Sequence, residues 1–185
     1  MRIISGNNRG TKLNTLEGQN TRPTLDRVKE SLFNILYNKG NDFKYVLDLF
    51  AGSGSLGLEA LSRGAEFAWF CDSSQEAIKI ITQNIKKCKC EGKSKVFNLD
   101  YIQCLQLLKD EGGRLDLIFL DPPYGKGLGI KAIECIDQLK LLNLCGIIVL
   151  EINKTESIPE ILGNFQMIDK REYGSVKICF FKRKE

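Results

Sequence analysis

Residues 115–124 read Leu-Asp-Leu-Ile-Phe-Leu-Asp-Pro-Pro-Tyr, an apolar run that ends on a carboxylate, two prolines and a tyrosine. Those four terminal residues suit chemistry at an exocyclic amine on a planar base. The nitrogen of such an amine shares its lone pair with the ring and is a poor nucleophile. An Asp121 carboxylate can accept one N–H, and a main-chain carbonyl near Pro122 can accept the other, which draws the lone pair toward an electrophilic methyl donor. Pro122 and Pro123 fix φ and remove two competing N–H donors, so the loop is stiff and its acceptors face outward. Tyr124 offers a ring on which a splayed base can stack, worth roughly 1–3 kcal/mol per base. A strand closed by a proline turn is the plainer reading of the same residues.

Upstream residues favour the chemical reading. Val46-Leu-Asp-Leu-Phe50 runs into Ala-Gly52-Ser-Gly54-Ser-Leu-Gly57, with Asp72 twenty residues after Gly52. A glycine-rich turn between a strand and a helix lets backbone approach a ligand closely, and an acid at the next strand tip can hold ribose hydroxyls. Asp48 lies inside its strand, where it sits awkwardly beside a pyrophosphate but suits the ammonium of a methionine moiety. Asp100, at the tip of a third strand, can accept from an adenine amino group. Together Asp48, Asp72 and Asp100 describe a ligand cationic at sulfur, rich in donors and free of phosphate: S-adenosylmethionine. Each acid could instead cap the helix that follows it, Asp72 and Asp100 more readily than Asp48.

The chain has no histidine, which removes Ser-His-Asp hydrolysis, imidazole acid–base catalysis and His-ligated metals. Its seven cysteines follow no disulfide spacing and mostly lie in apolar segments, as reduced thiols do. Cys88-Lys-Cys90 has no partner motif to complete a metal site, so no metal is expected. No stretch reaches membrane-span length and no apolar leader opens the chain, which points to a cytoplasmic protein. No dimer signal stands out, so a monomer is expected. The net charge of +4 is uneven: residues 1–30 and 166–185 each carry six Lys/Arg against three Asp/Glu, leaving 31–165 at −2. Basic ends around a slightly acidic middle suit a polyanion held outside the core.

The elements that must position these residues alternate along the chain. Arg2–Ser5 and Thr11–Leu13 flank a turn-rich stretch and form a hairpin. A helix capped by Thr24 follows through about Tyr37. Strands at 46–50, 67–71, 95–99, 115–120 and 146–152 then alternate with helices near 55–63, 75–87, 101–109, 128–140 and 157–162. Near-continuous apolar strands between helices mean a parallel sheet covered on both faces. Residues 167–169 and 176–182 close the chain as a hairpin across 172–175, adding one antiparallel strand. At 185 residues this is one domain, with a basic hairpin and helix over 1–40 and a Rossmann-like core over 41–185.

The chain resembles the bacterial 16S ribosomal RNA guanine-N2 methyltransferases, the RsmD family, essentially end to end. The likeness rests on Met1-Arg-Ile-Ile-Ser-Gly6 with Arg9-Gly10, Thr21-Arg-Pro-Thr24 with Asp26-Arg-Val-Lys-Glu30, Leu47–Gly54, Leu56–Ala65, Asp121–Tyr124 and Tyr173-Gly174. It implies a seven-stranded class I methyltransferase sheet. It implies that Asp121, Pro122, Pro123 and Tyr124 grip a guanine amino group. Asp48, Phe50, Gly52, Gly54, Asp72 and Asp100 would hold S-adenosylmethionine, with Arg22, Pro23 and Thr24 closing over it. Phosphates of 16S rRNA, in the small subunit or an assembly intermediate, would meet Arg2, Arg9, Lys12, Arg171, Lys182 and Arg183. Ser73-Ser74 after Asp72 and the bulky Tyr101 after Asp100 depart from that pattern. The residues alone leave other acceptors open: adenine N6 in DNA, or a protein amide. A nicotinamide oxidoreductase would use the glycine loop and leave the Asp-Pro-Pro-Tyr end idle, and a non-catalytic RNA-binding assembly factor would need neither.

Overall fold

The computed structural model describes residues 1–16, 23–37 and 42–184, and of Pro23, Thr24 and Leu25 the backbone alone. One eight-stranded sheet, ordered β3-β2-β1-β4-β5-β8-β7-β6, organises the chain. Strands β1 (Tyr45–Asp48), β2 (Phe67–Cys71), β3 (Ser94–Phe97), β4 (Leu115–Leu120) and β5 (Leu142–Asn153) are parallel, while β8 (Val176–Arg183) is antiparallel to β5. β7 (Phe165–Tyr173) pairs antiparallel with β8, and the two-residue β6 (Ile161–Leu162) pairs antiparallel with β7. Helices α1 (Pro23–Tyr37), α2 (Ser55–Ser62), α3 (Gln75–Lys87), α4 (Tyr101–Asp110) and α5 (Leu128–Leu139) cover it.

The apolar strands are buried on both faces because the pleat sends alternate residues to opposite sides. Leu117 and Phe119 of β4 join a core with Phe33 and Leu36 of α1, Leu58 of α2 and Ile81 of α3. Ile118 and Leu120 join a second core with Leu105 and Leu108 of α4 and Ile133 and Ile136 of α5. Each such side chain contributes about 1.5–3 kcal/mol of burial. Gly57 of α2 lets that helix lie on β2, since a Cβ there would fall 2.4 Å from the Phe70 ring.

The N-terminal hairpin forms as expected, through an Arg2–Lys12 bridge and the Gly10 N–H donating to the Ile3 carbonyl at 2.9 Å. Its anchor is Glu59 of α2, fully buried, which accepts the Ile4 and Ser5 N–H groups at 2.8 and 3.0 Å and pairs with Lys29 and Arg63. Asn84 of α3 adds a second tie: it donates to the carbonyls of Asn14 and Ser53 and accepts from the Asn14 N–H.

Five sequence expectations are corrected. The helix expected at 157–162 is absent. Gly163-Asn164 instead turns the chain so that Leu162 faces Phe165, and the sheet edge takes the segment. The resulting β6 raises the strand count from seven to eight and adds a second antiparallel strand. β5 begins at Leu142, ahead of the expected 146, with a bulge opposite β4 between Leu115 and Leu117. The closing turn is Gly174-Ser175, tighter than 172–175, with β7 and β8 correspondingly longer. α1 begins at Pro23, so Thr24 lies in its first turn rather than capping it. Among the described residues no helix is long and apolar enough to cross a membrane.

Candidate active site

A cavity of about 750 Å³ opens where β1 to β5 end, lined by five carboxylates: Asp48, Asp72, Asp100, Asp121 and Glu151. This is the crevice outside the carboxyl ends of parallel strands, where open α/β sheets take their ligands. Phe50, Leu99, Tyr101 and the Asp121–Tyr124 loop complete the wall, and Lys126 is the one lysine in the lining. At the far side, Met1 and Leu16 of the N-terminal segment also reach it.

The glycine loop is built by its φ angles and by Asp72. Gly52 and Gly54 sit at φ +53° and +76°, left-handed conformations that cost a glycine little. Asp72 Oδ2 accepts the Gly52 N–H and Oδ1 the Ser74 N–H, both at 2.9 Å, so the tip of β2 is tied to the loop after β1. Ser74, not Asp72, caps α3, accepting the Ala77 N–H at 3.3 Å. Asp100 does cap its helix: it accepts from Ile102 and Gln103 in a full capping box at the start of α4. Its capping role and its place on the cavity wall coexist. Gly54 does not line the cavity; it caps α2 against Phe70.

Asp48 is almost wholly buried and accepts the Gly57 N–H at 3.0 Å. Burial raises its carboxyl to about 7, against the Gly57 bond that lowers it, with the Asp72 charge adding to the rise. A buried acid with no ion-pair partner among the described residues is poised to receive a cation, and a sulfonium-linked ammonium fits that need. Tyr101, bulky beside Asp100, packs with its ring centre 5.7 Å from that of Phe50 and tilted 36° to it, forming an aromatic wall. Asp48, Asp72 and Asp100, an aromatic wall and a glycine loop together fit a cationic nucleoside without phosphates.

Asp121 stands at the end of β4, open to solvent through the cavity mouth although protein packs closely around it. Its carboxyl is raised well above the ordinary range, first by desolvation and then by the Glu151 and Asp48 charges. The water at the mouth tempers the first of these causes; the like charges remain. Pro122 is buried and Pro123 exposed, while Tyr124 keeps an exposed ring and donates its hydroxyl to Glu151 Oε1 at 2.9 Å. The Gly125 N–H donates to Glu156 at 3.3 Å, a second hold on the loop. Glu151 was not foreseen from sequence. Its signal was there: an acid near the end of the apolar run Ile147–Ile152, as Asp48 is in β1.

The basic candidates are not brought together. Arg2 and Arg9 line a separate cleft of about 430 Å³ between the hairpin and α1, with Arg27 beside them and Asp26 3.4 Å from Arg2. Lys12 is exposed on the same hairpin. Arg171, paired with Asp169 at 3.0 Å, lies level with Glu151, two strands away through Ile178. Lys182 and Arg183 lie at the other end of the sheet from Glu151, because β8 runs antiparallel to β5. The Arg183 guanidinium stacks 5.8 Å from the Phe165 ring centre. Arg22 falls outside the described residues, as do the side chains of Pro23 and Thr24.

A family model described as conserved hypothetical protein 95 matches residues 1–182. The chain belongs to that family. Among curated relatives, "Putative rRNA methyltransferase YlbH" of Bacillus subtilis (strain 168) is 38% identical over 188 residues, with 100% of each chain covered. Ribosomal RNA small subunit methyltransferase D of Haemophilus influenzae is 35% identical, over 98% of this chain and 93% of its own. The solved structure of "Putative methyltransferase yhhF" from Escherichia coli has a TM-score of 0.85 at 33% identity, covering 100% of this chain and 98% of that one. The chain shares its mostly parallel, helix-covered sheet with that methyltransferase structure.

Proposed function

We propose that this enzyme transfers a methyl group from S-adenosylmethionine to the exocyclic N2 of a guanine in 16S ribosomal RNA of the small subunit. One observation carries the reading: Asp121, the proline pair and Tyr124 stand at the mouth of the same cavity whose floor is the glycine loop with Asp48, Asp72 and Asp100. The relatives' names support methyl transfer to small-subunit rRNA over an oxidoreductase, a DNA or protein N-methyltransferase, or a non-catalytic factor.

The bound sulfonium supplies an electrophilic methyl group. Asp48 would hold the ammonium, Asp72 the ribose hydroxyls and Asp100 the adenine amine. At the mouth, Asp121 accepts one N2–H and the Pro122 carbonyl the other, turning the nitrogen lone pair toward the methyl carbon at roughly 3–3.5 Å. Transfer to that nitrogen would release the donor sulfur, with the bonding pair, as a neutral thioether. The methylated amine then releases its extra proton to Asp121 or water, so no histidine is needed. A guanine inside a duplex cannot reach this site, so the base is unstacked and laid on Tyr124. Arg2, Arg9 and Lys12 on the hairpin, with Arg171, hold phosphates around it; Lys182 and Arg183 meet RNA farther along its path. The transfer as written calls for no metal, and the enzyme works as a cytoplasmic monomer.

Tritiated methyl transfer from S-adenosylmethionine to purified small subunits, compared with naked rRNA, tests the reading. One methylated guanine is expected, with Asp121→Ala abolishing transfer and leaving cofactor binding near normal. Loss of cofactor binding in parallel would make Asp121 a structural residue and remove the catalytic assignment.

A further inference from the structure

Asp121 and Glu151 form a pair of acceptors set side by side. Leu120, the last residue of β4, is in register with Leu150 of β5, so Asp121 and Glu151 each directly follow a member of the same pair. Asp48, in register with Phe119, lies two positions below Asp121 on the same side of the pleat. All three carboxyls line the cavity. The Tyr124 hydroxyl engages Glu151 through Oε1, and among the described residues this is the one hydrogen bond that Glu151's side chain makes, which leaves Oε2 for a ligand. Desolvation raises the Glu151 carboxyl, and desolvation with the Glu151 and Asp48 charges raises Asp121, so a ligand edge with two adjacent donors is what holds both in the ionised, accepting form.

Nucleobases that carry an exocyclic amine differ in what lies beside it. In adenine the N6 amine neighbours N1, an acceptor, and in cytosine the N4 amine neighbours N3, also an acceptor. In guanine the N2 amine neighbours N1–H, a donor. An ionised carboxylate only accepts, so it welcomes the guanine edge and repels the lone pair of the other two. We infer that Glu151 is the specificity-determining residue of this site: it accepts guanine N1–H while Asp121 accepts N2–H, and so selects guanine over adenine and cytosine. The inference rests on the methyltransferase reading above and deepens it. It also gives Tyr124 a second task, since the hydroxyl that binds Oε1 holds Glu151 in the orientation that presents Oε2. A buried polar group left facing the wrong partner is what gives hydrogen-bonding sites their large discrimination.

The test uses small subunits assembled on 16S rRNA that carries either guanine or 2,6-diaminopurine at the methylated position. The analogue keeps the 2-amine but has an unprotonated N1. Wild-type enzyme should methylate guanine roughly a hundredfold or more faster than the analogue. Glu151→Gln keeps an oxygen for Tyr124 and offers an amide N–H to N1. It should lose at least about tenfold on guanine and narrow or invert the preference, with S-adenosylmethionine affinity by calorimetry unchanged. Wild-type enzyme that methylates both bases equally overturns the inference without recourse to any variant. A folded Glu151→Gln enzyme with undiminished preference for guanine overturns it as well. Wild-type enzyme that methylates neither base would overturn the function itself, a separate result.

Discussion

Asp48 Oδ2 accepts the Gly57 N–H at 3.0 Å, so the acid that ends β1 is bonded to the first turn of α2, and among the described residues it forms no ion pair. That bond satisfies one lone pair of a carboxyl that burial has pushed up to about 7. The group therefore binds a proton more tightly in the folded state than in the unfolded one. Its stabilising contribution is complete below the unfolded value near 4 and is lost as pH rises through about 7. Asp48→Asn should melt higher than wild type at pH 8, by roughly 5 °C or more, and the gap should close toward pH 4. Thermal unfolding of the ligand-free protein across that range measures it.

The same carboxyl makes cofactor binding proton-linked. A cation binds the ionised form, so S-adenosylmethionine affinity should rise as pH rises through about 7 in wild type. In Asp48→Asn the affinity should be weaker and flat with pH. Calorimetry in buffers of different ionisation enthalpy would show the released proton directly, and no release would separate Asp48 from the cofactor.

Glu59 predicts a structural effect without a chemical one. It is fully buried and satisfies the Ile4 and Ser5 N–H groups, Lys29 and Arg63. Desolvation already lowers the Lys29 ammonium, and the Glu59 charge is the main opposing influence. Glu59→Ala takes the ion-pair partner from buried Lys29, which keeps its bond to the Arg2 carbonyl, and leaves two backbone donors unpaired, so a loss of about 3–5 kcal/mol is expected in chemical denaturation. The hairpin should lose amide-exchange protection at Ile4 and Ser5 first.

Tyr124 separates stacking from anchoring. Tyr124→Phe keeps the ring and removes the bond to Glu151, while Tyr124→Ala removes both. Stacking worth roughly 1–3 kcal/mol predicts that the Ala variant raises the KM for small subunits some ten- to hundredfold. The Phe variant should keep most of that affinity and lose instead in the discrimination between guanine and 2,6-diaminopurine. Equal effects of the two on KM would mean the ring does not touch the base.

Gly57 offers a packing control. A Cβ at this position would lie 2.4 Å from Phe70, so Gly57→Ala must push α2 off β2 and disturb the Asp48 bond with it. A loss of about 1–3 kcal/mol and weaker cofactor binding are expected together. Unfolding curves and calorimetry on one preparation would show both.

Much of this molecule was legible in one dimension because its signals are local. The apolar strands, the helices between them, the glycine turn and the Asp-Pro-Pro-Tyr end depend on periodicity and on the backbone needs of a few residues. The acids Asp48, Asp72, Asp100 and Asp121 could be placed at strand ends without knowing which strands were neighbours. Where a short stretch offered two local solutions, as at Pro159 to Phe165, the sheet edge decided, because pairing with β7 buries Leu162 and Phe165 in a way one helical turn would not. What the tertiary structure alone decided is pairing across the chain. Glu151 meets Tyr124 twenty-seven residues away, Glu59 receives the hairpin from fifty-five, and the antiparallel run of β8 carries Lys182 and Arg183 away from the cavity. Strand order and direction follow from how the whole apolar surface is buried at once, and no single segment carries that information.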